Sequence, residues 1–129
     1  MLFHTFRSQE DRRDYGGSAF IEIQFCRLPA GTRLKKIVSL GSIQHWQNDS
    51  LYVDDEDLFF QEYKAIFNSG IYHNLKSGVV DIFGINYYAP EWIDPIIHLL
   101  NTETPTDYEV LSQWLGKAKE YNGFYILGI

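Results

Sequence analysis

The side chains of this sequence with the most chemistry to offer are its carboxylates and four histidines, and their spacing decides which chemistry that is. Asp54-Asp55-Glu56-Asp57 sets carboxylates side by side, and Glu103, Asp107 and Glu109 form a second group. Such groups suit cation ligation, acid/base work or an electrostatic surface for a basic partner. Calcium ligation by the first group fails on pattern, because the alternating oxygen ligands and closing Glu of an EF-hand loop are missing. Both groups also fall where helices are expected to begin, and dipole complementarity accounts for them there without any ligand.

His4, His45, His73 and His98 never stand three or four residues apart, so no helix presents two imidazoles on one face, and neither HExxH nor a cysteine pair occurs. A zinc site from His45, His73, His98 and Cys26, or acid/base work by His73 beside a carboxylate, needs the fold to gather distant residues. Cys26 is the single cysteine, which forbids an intramolecular disulfide, fits a reducing compartment and reads as a packed or surface thiol. Gly16-Gly17 lacks a following Lys-Ser/Thr, the segment from Gly78 to Gly84 lacks the spacing of a phosphate cradle, and no GxSxG occurs. The expectation is a protein that is not an enzyme, with no cofactor and no metal.

Charge divides unevenly: residues 1–40 carry 7 Lys/Arg against 4 Asp/Glu (+3) and residues 41–129 carry 4 against 13 (−9), summing to −6. Arg7, Arg12, Arg13, Arg27, Arg33, Lys35 and Lys36 offer a basic patch and Phe20 and Phe25 offer stacking, but the remaining −9 repels a phosphate backbone, so nucleic acid is not the expected partner. No apolar run approaches the roughly 20 residues that span a bilayer. Charge at Arg7 and from Glu10 to Asp14 leaves no room for a signal-peptide core, so a cytoplasmic location is expected.

A chain of 129 residues, 45% hydrophobic and 16% aromatic, is expected to form a single globular domain over 1–129. Gln9 to Gly17 reads as a loop, and Ser18 to Arg27 alternates as a strand with one buried face. Turn residues from Leu28 to Thr32 and a second strand over Arg33 to Leu40 suggest a hairpin. Ile43 and Trp46 anchor a polar stretch, and Leu51 to Val53 forms a short strand. A helix begins at the first carboxylate group, with Leu58, Phe59, Tyr63, Ile66 and Phe67 on its apolar face, and stops at Asn68-Ser69-Gly70. Gly78 to Tyr88 favours a strand. A second helix starts at Pro90 or after Asp94, a third opens over Thr104 to Asp107 and ends at Asn122-Gly123, and Phe124 to Ile129 forms a buried strand. The fold class is α+β: a small, at least partly antiparallel sheet with about three helices packed on it. Most of Trp92, Trp114, Phe59, Phe67, Tyr108 and Phe124 are assigned to the core. Trp46, Tyr52, Tyr72, Tyr87, Tyr88 and Tyr121 are candidates for exposure.

The combination of small size, acidity, abundant aromatics and absent catalytic motifs, with Asp107-Tyr108-Glu109-Val110-Leu111 and Lys119-Glu120-Tyr121-Asn122-Gly123-Phe124-Tyr125 in the second half, resembles the immunity proteins of bacterial polymorphic toxin systems, including those of contact-dependent growth inhibition. That resemblance implies a protein that binds a cognate basic toxin domain, often a nuclease, and blocks it. The expected partner-binding residues are Trp46 and Tyr52 as aromatic anchors, with Asp54, Asp55, Glu56, Asp57, Glu103, Asp107 and Glu109 as the electrostatic surface. Two other classes stay open: an enzyme whose site forms only on folding, expected to show a cleft with converging His and carboxylates, and a structural or adaptor subunit, expected to show a broad apolar patch.

Overall fold

The computed structural model describes residues 1–16 and 20–128, so Gly17, Ser18, Ala19 and Ile129 of the expected elements lie outside the described residues. Seven strands among those residues form one sheet: β1 (Phe3–His4), β2 (Ile21–Phe25), β3 (Leu51–Val53), β4 (Gly70–Tyr72), β5 (Ser77–Gly78), β6 (Ile85–Tyr88) and β7 (Phe124–Leu127), in the order β1-β3-β2-β7-β6-β4-β5. Every pairing is antiparallel. The helices are α1 (Gln9–Gly16), α2 (Leu34–Ile37), α3 (Glu56–Tyr63), α4 (Ile93–Glu103) and α5 (Tyr108–Ala118), with 3-10 turns at Leu40–Ser42 and Pro90–Trp92. The α+β class stands, with more helices than expected.

The register assigns the two faces of the sheet. Ile21, Ile23, Phe25, Leu51, Val53, Tyr88, Phe124 and Ile126 alternate onto one face and pack against Phe59 and Tyr63 of α3, Ile93, Ile96 and Leu100 of α4, and Leu111, Trp114 and Leu115 of α5. Rings dominate this core: Phe25 stacks on Trp114 at 4.1 Å and on Tyr121 at 4.4 Å, and Tyr88 stacks on Phe124 at 4.9 Å. β7 lies at the centre of the sheet between β2 and β6, so the apolar C-terminal run is a core strand. Gly123 enters that strand at φ +83°, and a Cβ there would stand 2.1 Å from the Tyr88 carbonyl oxygen, so only glycine fits.

The opposite face is also covered, which the sequence reading did not anticipate. All residues of β2 are buried, not one alternating set. Gln9–Gly16 is a helix, not a loop: Ser8 Oγ accepts from the Asp11 amide at 3.1 Å and caps its start. Arg33 to Leu40 is not a strand, so no hairpin forms there: Leu34–Ile37 is a short helix that docks Ile37 and Val38 onto Cys26, Ile85, Tyr87, Tyr125 and Leu127. Tertiary burial wins over local strand pattern in this segment. Between Gly78 and Tyr88 only Ser77–Gly78 and Ile85–Tyr88 are strand, separated by a turn in which Asp81 N donates to Asn86 Oδ1 at 2.8 Å. Pro95 is accommodated in the first turn of α4, where its missing N–H costs nothing. Trp92, assigned to the core, is exposed, whereas Tyr52, Tyr87 and Tyr88 are buried.

Candidate functional site

The two carboxylate groups meet in part, through Asp54 and Asp55 of the first and Asp107 of the second. β3 ends at Val53, and Asp54 and Asp55 follow into α3, where Asp55 Oδ1 accepts the Leu58 amide at 3.0 Å as an N-cap. Near the C-terminal end of α3, Glu62 accepts the Thr106 amide at 2.8 Å and the Thr106 hydroxyl at 2.7 Å, which holds its carboxyl below the ordinary range. Asp107 precedes α5 in the left-handed region at φ 57°, and its Oδ2 accepts the Leu2 amide at 2.6 Å. The result is one recess of about 360 Å³ lined by Asp54, Asp55, Asp107, Thr106, Tyr15 and Leu2. Burial raises the Tyr63 hydroxyl strongly, and the charges of Asp107, Glu62 and Glu109 raise it further, so those three carboxylates share one field.

These carboxylates divide by what they already do. Asp54 Oδ2 lies 3.0 Å from His4 Nε2 and accepts the Tyr15 hydroxyl at 3.1 Å, which ties α1 to the sheet and raises the Tyr15 hydroxyl. Asp55 caps, Asp107 staples and Glu62 clamps. Glu56, Asp57, Glu103 and Glu109 make no ion pair among the described residues; Asp57, Glu103 and Glu109 are exposed and Glu56 is half-buried. Dipole complementarity covers Glu56 and Asp57 in the first turn of α3 and Glu109 in that of α5. It does not cover Glu103, which is the last residue of α4 and stands at the negative end of that helix, not at a helix start as its spacing suggested.

The two aromatic anchors are not brought to this end as anchors. Tyr52 is fully buried, with its hydroxyl 2.7 Å from the Gln47 carbonyl oxygen and its ring against Phe6 and Phe20, so no partner reaches it. Trp46 is half-buried in the loop before β3 and does not line the acidic recess.

A second recess, of about 380 Å³, opens on the covered face between α1 and the loop before β3, and the sequence reading missed it. Arg12, Arg13, Phe20, Glu22, His45 and Leu127 line it. Glu22 is 4% exposed, and its Oε2 lies within 3.3 Å of donors on Ser50, Gln24, Gln47 and Tyr52. Burial raises this carboxyl above its ordinary value, and those hydrogen bonds oppose the rise. Arg12 is 6% exposed and lies 5.5 Å over the Tyr52 ring, with its Nε lacking any acceptor among the described residues. Ser8 followed by Asp11, a helix-start pattern, was the available signal that residues 9–16 form a second layer over Glu22.

The basic residues of the first 40 do not gather into a single stripe: Arg12 is buried, and Arg27 pairs with Asp49 over the Tyr121 ring. Among the described residues no cluster of three or more His, Cys, Asp and Glu side chains suits a metal ion, and no helix is long and apolar enough to cross a membrane. His73 Nδ1 lies 3.0 Å from the Val38 carbonyl oxygen, and Cys26 is buried beside the Tyr125 hydroxyl. Compared with protein-family models, curated proteins and solved structures, the chain matches none.

Proposed function

We propose that this chain is an immunity-type protein of the cytoplasm that captures a basic toxin domain, of the nuclease class, through the acidic end of its helical layer. The observation that carries the reading is the convergence of carboxylate groups from the β3–α3 and α4–α5 junctions on one recess. Their negative potentials add, and a field of that sign steers a basic partner and accelerates encounter. Carboxylates at such a surface stand in for the phosphates that a basic nuclease cleft attracts.

Glu56 and Asp57 follow Asp55 in the chain, Glu103 and Glu109 flank Asp107, and outside the recess itself these four are the proposed contact set, because none of them is consumed by an ion pair among the described residues. Asp54, Asp55 and Asp107 hold the surface in shape. Tyr52 has no part in contact.

Co-expression tests the reading: the chain is produced with the product of the adjacent reading frame, and growth and complex formation are measured. Restored growth together with a stable one-to-one complex is the expected result. Unrelieved toxicity, or relief without a complex, contradicts it.

A further inference from the structure

The recess over Glu22 holds two buried charges of opposite sign that do not satisfy each other. Glu22 receives its contacts from Ser50, Gln24, Gln47 and Tyr52 on Oε2, and no donor among the described residues reaches Oε1. Arg12 lies across the recess with an unpartnered Nε, and no ion pair joins it to Glu22. Arg13 adds a second guanidinium at the rim. Leaving the buried Arg12 Nε without an acceptor is costly, and a ligand that supplies one while donating to the free Oε1 of Glu22 recovers that cost.

The recess does not end there. Leu127, Gly128 and His45 also line a neighbouring groove of about 240 Å³, whose other walls are Leu40, Ile43, Phe83 and Ile85. Phe83 is 74% exposed and Leu40 69% exposed, so this wall is apolar and open. The site therefore offers an acceptor, a fork of donors and an apolar trough in sequence.

We propose that this recess binds a free α-amino acid with a large apolar side chain. The ligand's ammonium donates to Glu22 Oε1, its carboxylate accepts from Arg12 with Arg13 beside it, and its side chain runs past Leu127 into the groove of Ile43, Phe83 and Ile85. A simple anion satisfies the arginines but sets a second negative charge against Glu22. A simple cation does the reverse. Only a free amino acid holds both groups on one carbon, whereas a peptide carries them at opposite ends of its chain. This inference is independent of the acidic end and of toxin capture.

The test is a titration of the full chain with L-phenylalanine, 3-phenylpropionate and phenethylamine, followed by amide chemical shifts and calorimetry. Phenylalanine is expected to saturate, with shifts at Arg12, Glu22, His45 and Leu127, and to bind at least about tenfold more tightly than either analogue, because phenethylamine leaves Arg12 Nε without an acceptor and 3-phenylpropionate sets its carboxylate near Glu22 with no donor for Oε1. Glu22→Gln is expected to weaken phenylalanine and phenethylamine and to spare 3-phenylpropionate; Arg12→Lys is expected to weaken phenylalanine and 3-phenylpropionate and to spare phenethylamine. The comparison of analogues on the unmodified chain stands even where a variant fails to fold. Absence of saturable shifts with phenylalanine at about 10 mM overturns the proposal. Equal affinity for phenylalanine and either analogue overturns it as well, reducing the recess to a plain anion or cation site.

Discussion

The Leu2 amide donates to Asp107 Oδ2 at 2.6 Å across 105 residues of sequence, stapling the chain beside β1 to the start of α5. The contact holds Asp107 in the recess that also contains Asp54 and Asp55, so the acidic end depends on it. Asp107→Ala should cost about 1–3 kcal/mol, since it leaves a part-buried amide without an acceptor. Asp107→Asn keeps an acceptor and tolerates the left-handed backbone at φ 57°, and should recover most of the loss. Urea midpoints at constant m-value measure both. An Asp107→Ala midpoint equal to wild type would show that the staple contributes nothing.

Deletion of residues 125–129 should abolish folding. Tyr125, Ile126 and Leu127 are buried in the central strand, and each large buried side chain is worth about 1.5–3 kcal/mol, a sum comparable with the whole stability of a small domain. Gly123→Ala is the milder probe of the same strand, because its Cβ meets the Tyr88 carbonyl and the sheet entry must shift. A soluble truncation that melts cooperatively at the wild-type temperature would remove β7 from the core.

Glu22 sets a pH dependence whose sign follows from its raised carboxyl. Below the ordinary value of 4.5 both folded and unfolded chains hold the proton. Between 4.5 and the higher folded value only the folded chain keeps it, so stability falls as pH rises through that window and the cost is complete above it. Relative to Glu22→Gln, the wild type should therefore lose stability as pH rises from 4.5 through the raised folded value. Parallel stability curves for the two proteins, by urea denaturation across that pH range, would show that this carboxyl titrates normally.

Glu103 and Glu109 offer opposite responses to the same substitution. Glu103→Lys replaces an unfavourable charge at the C-terminal end of α4 and should stabilise by about 0.3–1 kcal/mol at low salt. Glu109→Lys removes a favourable charge from the first turn of α5 and should destabilise by a similar amount. Thermal melts at low and high salt separate the two. Destabilisation by Glu103→Lys would indicate an undetected structural duty for that carboxylate.

The helical layer and the C-terminal strand were legible because their signals are local. Leu111, Leu115 and Ala118 repeat at helical spacing in α5, and the run from Phe124 has no polar residue to place in solvent before Gly128. The covered face was not legible, because Glu22 and Gln24 alternate with Ile21 and Ile23 as they would on a solvated sheet. What covers that face is α1, α2 and the loop before β3, whose Gln44 carbonyl, Gln47 amide and Ser50 hydroxyl hold Gln24 and Glu22, and these segments read from composition as loop, strand and polar stretch. The convergence of the carboxylate groups was hidden for a related reason: contacts such as Glu62 with Thr106 are long-range and leave no periodic trace. Tyr52 was misread as an anchor because an aromatic beside carboxylates looks alike in sequence whether it faces a partner or, as here, lies under Arg12.

The most direct measurement of the central claim is the association rate between this chain and the basic toxin domain proposed as its partner, across a series from about 50 to about 500 mM salt. The variant to compare carries Glu56→Lys, Asp57→Lys, Glu103→Lys and Glu109→Lys together, since these carboxylates are free of internal ion pairs, with folding verified by its melt. Capture by the acidic end predicts a wild-type rate that falls steeply with salt, and a variant rate at least about tenfold lower at low salt with little salt dependence. A folded variant that binds and protects as well as wild type at every salt concentration contradicts the account and moves the interface off this end of the molecule.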